Sequence, residues 1–318
     1  MKALKPKVSI IGAGNVGSTF AFSLMTSGLA REIVMIDSNE KKAGGECMDL
    51  SHGLSFSPPA KIYAAGFEGC AESDVVVITA GARQKPGQTR VDLVQANVEI
   101  FKQMIPRIVQ AAPEAILLVV TNPVDILTYI TLKISGLSAG KVMGSGTVLD
   151  SSRFRYLISE HCDVDPRNIH AYIIGEHGDT ELPVWSNASI GGMKIRRFCP
   201  KCRNFDNCGR EKELAELFEE VRTSAYKIID AKGSTYYAVA LALVRIITAV
   251  LRDENSILPV STLIDDYCGV KDVCLSLPSV VNRKGVERFL RLDLSEEEEK
   301  LFRRSAAAMK DILKNVKF

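Results

Sequence analysis

Lys7-Val8-Ser9-Ile10-Ile11-Gly12-Ala13-Gly14-Asn15-Val16-Gly17 is the stretch that decides the fold. A short apolar run, read as a strand over Lys7–Ile11, feeds directly into G-x-G-x-x-G, and helical spacing follows from Val16 to Leu29. That order gives each glycine a task. Gly12 permits a tight turn, Gly14 lets the backbone approach a pyrophosphate, and Gly17 allows close packing of helix on strand. The diphosphate then faces the helix N-terminus at Asn15 and Val16, where unpaired N–H groups favour an anion. Asp37, at the end of the next apolar run, lies 20 residues beyond Gly17. A carboxylate there accepts from both ribose hydroxyls and repels a 2′-phosphate, so NAD rather than NADP is expected. A glycine-rich turn with no ligand would have no use for that acid.

Outward from this turn, further strands are expected at Glu32–Ile36, Lys61–Ala65, Asp74–Thr79, Ala115–Val120 and Lys141–Met143. Several lack polar alternation, as strands covered on both faces should. Helical stretches at Val91–Ala111 and Val124–Ser135 lie between them. Strand alternating with helix predicts an α/β fold, a Rossmann doubly wound parallel sheet over residues 1–145. Residues 146–318 read as a second, α+β domain for substrate and catalysis. It is expected to hold a helix near Asp150–His161, a β-rich stretch at Ile169–Ile195 and long helices near Glu211–Lys232 and Thr235–Leu251. Strands near Ser256–Leu263 and Val273–Val281 follow, then a terminal helix opening at Ser295 with four glutamates.

The chain has 318 residues, enough for about two compact units. It is 46% hydrophobic, and 40 Lys+Arg against 38 Asp+Glu leave a formal charge of +2. Disorder is excluded by that balance, and duplex nucleic acid is a poor partner for it. The longest apolar stretch, Tyr236–Leu251, contains Arg245 and is short for a membrane span, and the opening residues lack a signal-peptide pattern. A soluble cytoplasmic protein is expected. Five of the eight cysteines are scattered and read as reduced thiols or small core residues. Cys199, Cys202 and Cys208 resemble part of a metal knuckle, but a second C-x-x-C pair is absent, so no metal is expected and a surface loop is the better reading.

A bound dinucleotide implies a hydride carrier, and reduction of a ketone needs an acid that works near neutral pH. Of four histidines, His177 stands in Gly175-Glu176-His177-Gly178-Asp179 after an apolar run, where a strand gives way to backbone-exposing residues. With Gly12–Gly17, Asp37, the run Gln84–Arg90, Thr121–Asp125, Gly144–Arg155 and Gly175–Asp179 in this order and spacing, the chain resembles the lactate/malate dehydrogenase family. The resemblance runs from the first strand to the last helix and is to the bacterial L-lactate branch.

That resemblance implies reversible reduction of pyruvate to L-lactate by NADH, with His177 as proton donor and acceptor and Asp150 as the carboxylate that holds it. Arg153 matches the clamp on the substrate carboxylate, for which a planar guanidinium suits two parallel bonds. Arg90 matches a loop residue that polarises the carbonyl, Asn122 one that bonds substrate or cofactor, and Thr235 a small pocket residue. Ala80 and Gly81 match further cofactor contacts. Gln84 favours pyruvate, because malate-specific relatives place Arg before Lys-Pro-Gly to pair with a second carboxylate. Arg83 beside it keeps oxaloacetate/malate as the alternative, and a noncatalytic NAD-binding protein is the reading from another class. Arg155 and His170 match the fructose 1,6-bisphosphate site of allosteric bacterial members, and a homotetramer is implied.

Overall fold

The computed structural model describes residues 5–82, 90–195 and 210–318, excepting the side chains of residues 90, 91, 210 and 211. In chain order the first portion runs β1 (Lys7–Ile11), α1 (Asn15–Ser27), β2 (Glu32–Ile36), α2 (Glu40–His52), β3 (Lys61–Ala64), β4 (Val75–Ile78), α3 (Arg90–Ala111), β5 (Ile116–Val119), α4 (Val124–Ser135) and β6 (Val142–Gly144). Next come α5 (Val148–Cys162) and five two-residue strands: β7 (Ile169–His170), β8 (Ile173–Ile174), β9 (Leu182–Pro183), β10 (Ser189–Ile190) and β11 (Met193–Lys194). The rest is α6 (Arg210–Lys232), α7 (Tyr237–Leu251), β12 (Ser256–Ile264), β13 (Val273–Asn282), β14 (Gly285–Phe289) and α8 (Glu296–Lys314).

Strands β3-β2-β1-β4-β5-β6 lie side by side and all pair in parallel. Every residue of β4 (VVVI) and β5 (ILLV) is buried, which is why these runs show no alternation. The strand order reverses between β1 and β4, and at such a switch point an open α/β sheet forms its crevice at the carboxyl ends of the strands. One face of the sheet is covered by α1 and α7, through Phe20, Leu24, Leu243, Ile246 and Ile247. Residues of α3, α4 and α8, among them Phe101, Ile105, Leu127 and Phe302, pack on the other.

Two features depart from the sequence reading. The sheet does not end with the first portion: β12 joins β6 antiparallel through Ser261 and Gly144, and β13 and β14 extend it to nine strands. A Cβ on Gly144 would come within 3.0 Å of Ser261 Cβ, so glycine permits this junction. Helix α2 and strand β14 were also not expected. Only Ala43 and Cys47 of α2 are buried, so it has almost no apolar periodicity, and Asn39 starts it by accepting from the Lys42 N–H at 3.1 Å. All but the first residue of the apolar stretch Tyr236–Leu251 is α7, packed against the sheet, and among the described residues no helix is long and apolar enough to cross a membrane.

Helix α5 positions the site. Phe154 and Ile158, one turn apart, are fully buried in a cluster with Ala188 and Ile190, and Phe154 meets Trp185 edge-on at 4.6 Å between centroids. Anchored by these residues, the helix presents Asp150 and Arg153, also one turn apart, to a common partner region.

Candidate active site

At the end of β1 the chain turns through Gly12, whose φ of +107° is open to glycine. A side chain there would strike Thr79 Oγ1 and the Ala80 backbone, and a Cβ on Gly17 would overlap the Gly12 carbonyl. Gly14 is different: an added Cβ meets nothing within 4 Å, so no protein atom explains the glycine. It forms the N-cap of α1 with no side-chain cap, leaving first-turn N–H groups without a capping side chain. Asp37 reaches the same turn, accepting from Ala13 N–H at 2.7 Å and Asn39 N–H at 2.8 Å. Space beside Gly14, an uncapped helix and a half-buried acid at the end of β2 fit a dinucleotide of the NAD type.

Around this turn, the ends of β4 and β5 are stitched together. Thr121 Oγ1 donates to the Ala80 carbonyl at 2.7 Å, and Gly81 sits where a Cβ would overlap Thr121. Fully buried Asn97 accepts from Ala82 N–H at 2.7 Å and donates to the Asn122 carbonyl at 3.2 Å. Asn97 thus holds together two segments carrying Ala80, Gly81 and Asn122, a role no local motif signals. Across the cleft, Asn15 Nδ2 donates to Ser234 Oγ at 3.1 Å, which brings the α6–α7 link and its half-buried Thr235 beside the glycine turn.

The chain after β8 is pinned from three sides. Gly175 exchanges backbone hydrogen bonds with Ser276 of β13 at 2.8 and 3.0 Å, and Glu176 N–H donates to Ser305 Oγ of α8 at 2.8 Å. His177 N–H donates to Asp125 Oδ2 of α4 at 2.7 Å, while Asp125 Oδ1 accepts from Ser261 Oγ of β12 at 2.6 Å. With its backbone fixed, His177 places Nδ1 2.6 Å from Asp150 Oδ2. The other oxygen of Asp150 accepts from Arg153 Nη1 at 2.7 Å. The structure therefore brings together the three residues expected from the resemblance and adds an Asp150–Arg153 bond that the sequence reading did not contain. Three residues apart on α5, the two share a helix face, and there they touch.

Asp150 is 4% exposed in its side chain and His177 25%, so the carboxylate lies beneath the ring and Nε2 remains for a substrate. Burial works against the imidazolium, but the charge and hydrogen bond of Asp150, with Glu181 and Asp125 beyond, outweigh it and raise His177 from 6.5 to about 9. Burial also pushes Asp150 upward, and His177 and Arg153 overcome it, holding the carboxyl below its ordinary range. Asp125, deeply buried, is pushed up to about 6 by desolvation despite its bonds from Ser261 and His177. Near neutral pH the site holds an imidazolium on a carboxylate, ready to give a proton from Nε2.

Asp150, His177 and Glu181 have ligand-type atoms all within 4.8 Å of one another. A cation could use such a set, yet both Asp150 oxygens are already taken by His177 and Arg153. Gln84 and Arg83 lie outside the described residues, as do Cys199, Cys202 and Cys208, while Arg90 opens α3 with its side chain undescribed. Arg155 and His170 lie away from the cluster. Arg155 Nε donates to the Ala171 carbonyl at 3.0 Å with its guanidinium over Tyr172, and His170 is exposed on β7. Asp125, Ser261 and Asn97 escaped the sequence reading; the Asp within Thr121-Asn122-Pro123-Val124-Asp125 was the one available hint.

Residues 6–144 match the NAD-binding domain of lactate/malate dehydrogenases, and residues 147–318 match their alpha/beta C-terminal domain. The L-lactate dehydrogenase of Acetivibrio thermocellus is 54% identical over 310 residues, covering 98% of this chain and 97% of that one. That of Thermoanaerobacterium saccharolyticum is 55% identical, covering 98% and 99%. Among solved structures, the minor L-lactate dehydrogenase of Enterococcus mundtii, in a ligands-bound form, superposes with a TM-score of 0.94 at 38% identity, covering 99% of each chain. A lactate dehydrogenase from a Medee basin deep-sea metagenome library gives 0.93 at 41%, covering 98% of each. With both halves matched and relatives above half identity along nearly its whole length, the chain belongs to the lactate/malate dehydrogenase family and carries that family's NAD-binding domain.

Proposed function

We propose that this enzyme interconverts pyruvate and L-lactate, with residues 1–145 carrying the dinucleotide and residues 146–318 supplying the proton donor and the carboxylate clamp. The observation that carries this reading is the His177–Asp150–Arg153 arrangement, an acid and a cation side by side at the cleft. NADH, when bound, supplies the hydride. His177 gives its Nε2 proton to the substrate oxygen as negative charge grows there, and Asp150 stabilises the imidazolium and fixes which nitrogen faces the substrate. Arg153 bonds Asp150 through one nitrogen only, and among the described residues no acceptor takes the rest of its guanidinium. That free edge suits the pyruvate carboxylate, orienting the adjacent carbonyl toward the cofactor. Arg90 polarises that carbonyl, Asn122 bonds substrate or cofactor, and Thr235 limits substrate size. Gln84, being neutral, accommodates the methyl of pyruvate and offers no partner to a second carboxylate. The kcat/KM values for pyruvate and oxaloacetate with NADH test this: preference for pyruvate supports it, and preference for oxaloacetate selects the malate alternative.

Regulation by fructose 1,6-bisphosphate fits the same reading. His170 is exposed, and Arg155 has committed its Nε to Ala171, so its outer nitrogens and the imidazole are the groups offered to a phosphate. Paired across a twofold axis of a cytoplasmic homotetramer, two such sets would hold a bisphosphate. Sugar bisphosphate should then lower the KM for pyruvate and favour the tetramer in sedimentation; no change in either removes this regulatory role.

A further inference from the structure

We propose that Glu181 is a positioning residue that acts through His177, standing as a neutral acid when the histidine is protonated and ionising as the site loses protons, so that the imidazolium persists to higher pH. The inference rests on the reading of His177 as proton donor. Glu181 follows the His177 turn directly and is 8% exposed. Its N–H donates to the Gly178 carbonyl at 3.1 Å, and the next residue, Leu182, is locked into β9 opposite Ile174. Held on both sides, the carboxyl lies within 4.8 Å of the polar atoms of both Asp150 and His177. Among the described residues nothing donates a hydrogen bond to it and no cation forms a salt bridge with it, although His177 and Arg153 face it.

Two buried carboxyls this close do not both ionise unless each has its own compensation. Asp150 has it, with His177 on one oxygen and Arg153 on the other. Glu181 does not, so the proton stays on Glu181. The charged groups facing it are Asp150 and Arg153 from α5, with His177 and Glu176 from its own loop, while Asp125 of α4 reaches His177 from the backbone side. Desolvation, and then the Asp150 charge, push the Glu181 carboxyl far above its ordinary range, while the charge and hydrogen bond of Asp150 raise His177 as well. The two groups therefore titrate as an interacting pair, and a proton lost from Glu181 strengthens the hold on the one at His177.

Glu181→Gln copies the shape of the neutral acid and removes its ionisation. Its kcat/KM for pyruvate at pH 7 should stay within about threefold of the wild type, with NADH affinity unchanged. With ¹⁵N-labelled histidine, assigned by comparison with His177→Asn, the His177 ring should titrate about one pH unit lower in Glu181→Gln than in the wild type. Glu181→Asp, which keeps the acid, should recover part of that shift, and Glu181→Ser should reproduce the Gln result if Gln packs poorly. An unchanged midpoint in both Gln and Ser variants, or a tenfold or greater loss at pH 7 with intact NADH binding, overturns the proposal. Failure of the wild type to reduce pyruvate would instead strike the underlying reading.

Discussion

In the nucleotide crevice, Gly12, Gly14 and Gly17 fall within one turn of chain and act by what they lack, leaving backbone N–H groups and empty space at the start of α1. In the catalytic cluster, Asp125, Asp150, Arg153, His177 and Ser261 come from α4, α5, the loop after β8 and β12, and act through charge and hydrogen bonds. The first region offers backbone N–H groups and space, with the Asp37 acid beside them; the second can move a proton only if a buried carboxylate stays ionised. Damage to one should therefore leave the task of the other largely intact.

The strongest test of that separation is His177→Asn. Losing the general acid should lower kcat/KM for pyruvate by about a thousandfold, with NADH affinity, read by fluorescence, within about twofold of the wild type. Equal losses in both would show that the two regions are not separable. Gly14→Val should do the reverse. Its Cβ meets no protein atom within 4 Å, so the melting temperature should hardly move, while NADH binding weakens by about tenfold or more as the new side chain fills the space for the pyrophosphate. A stable variant with wild-type NADH affinity would remove the diphosphate from that turn.

A smaller effect comes from the opposite kind of helix end. Helix α8 closes its own N-terminus with a capping box, Ser295 accepting from Glu298 N–H and Glu298 from Ser295 N–H, and puts four glutamates in its first turn. Ser295→Ala should cost about 1 kcal/mol of stability in urea unfolding and leave NADH and pyruvate kinetics alone. Altered NADH affinity would mean that α8 supports the cleft more directly than its capping suggests.

The crevice was legible in sequence because its parts are neighbours: the glycine spacing, the strand before it and Asp37 all lie within two strands and a helix. The glycines around His177 likewise marked a turn. The partners that hold that turn were not legible. Ser261 and Asp125 are 136 residues apart and meet only because β12 joins β6, a pairing that no local pattern announces. Nothing in the sequence around Glu181 singles it out, and only its burial beside Asp150 makes it unusual. Helix α2 went unseen for a related reason: so little of it is buried that its register leaves almost no trace in residue type.

Charge on His177 is the centre of the proposed mechanism, and the pH dependence of kcat/KM for pyruvate, in the wild type and in Asp150→Asn, measures it. A folded-state value of about 9 against 6.5 means that imidazolium is favoured by folding: this contribution to stability is complete below pH 6.5 and is lost as pH rises through 9. The wild type should accordingly hold its kcat/KM through neutral pH and lose it as pH rises through about 9. Asp150→Asn, stripped of the charge that overcomes burial, should lose it at least two pH units lower. A wild-type profile that stays flat from pH 6 to 10, or an Asp150→Asn profile with the wild-type midpoint, would contradict a buried Asp150 holding His177 as the proton donor.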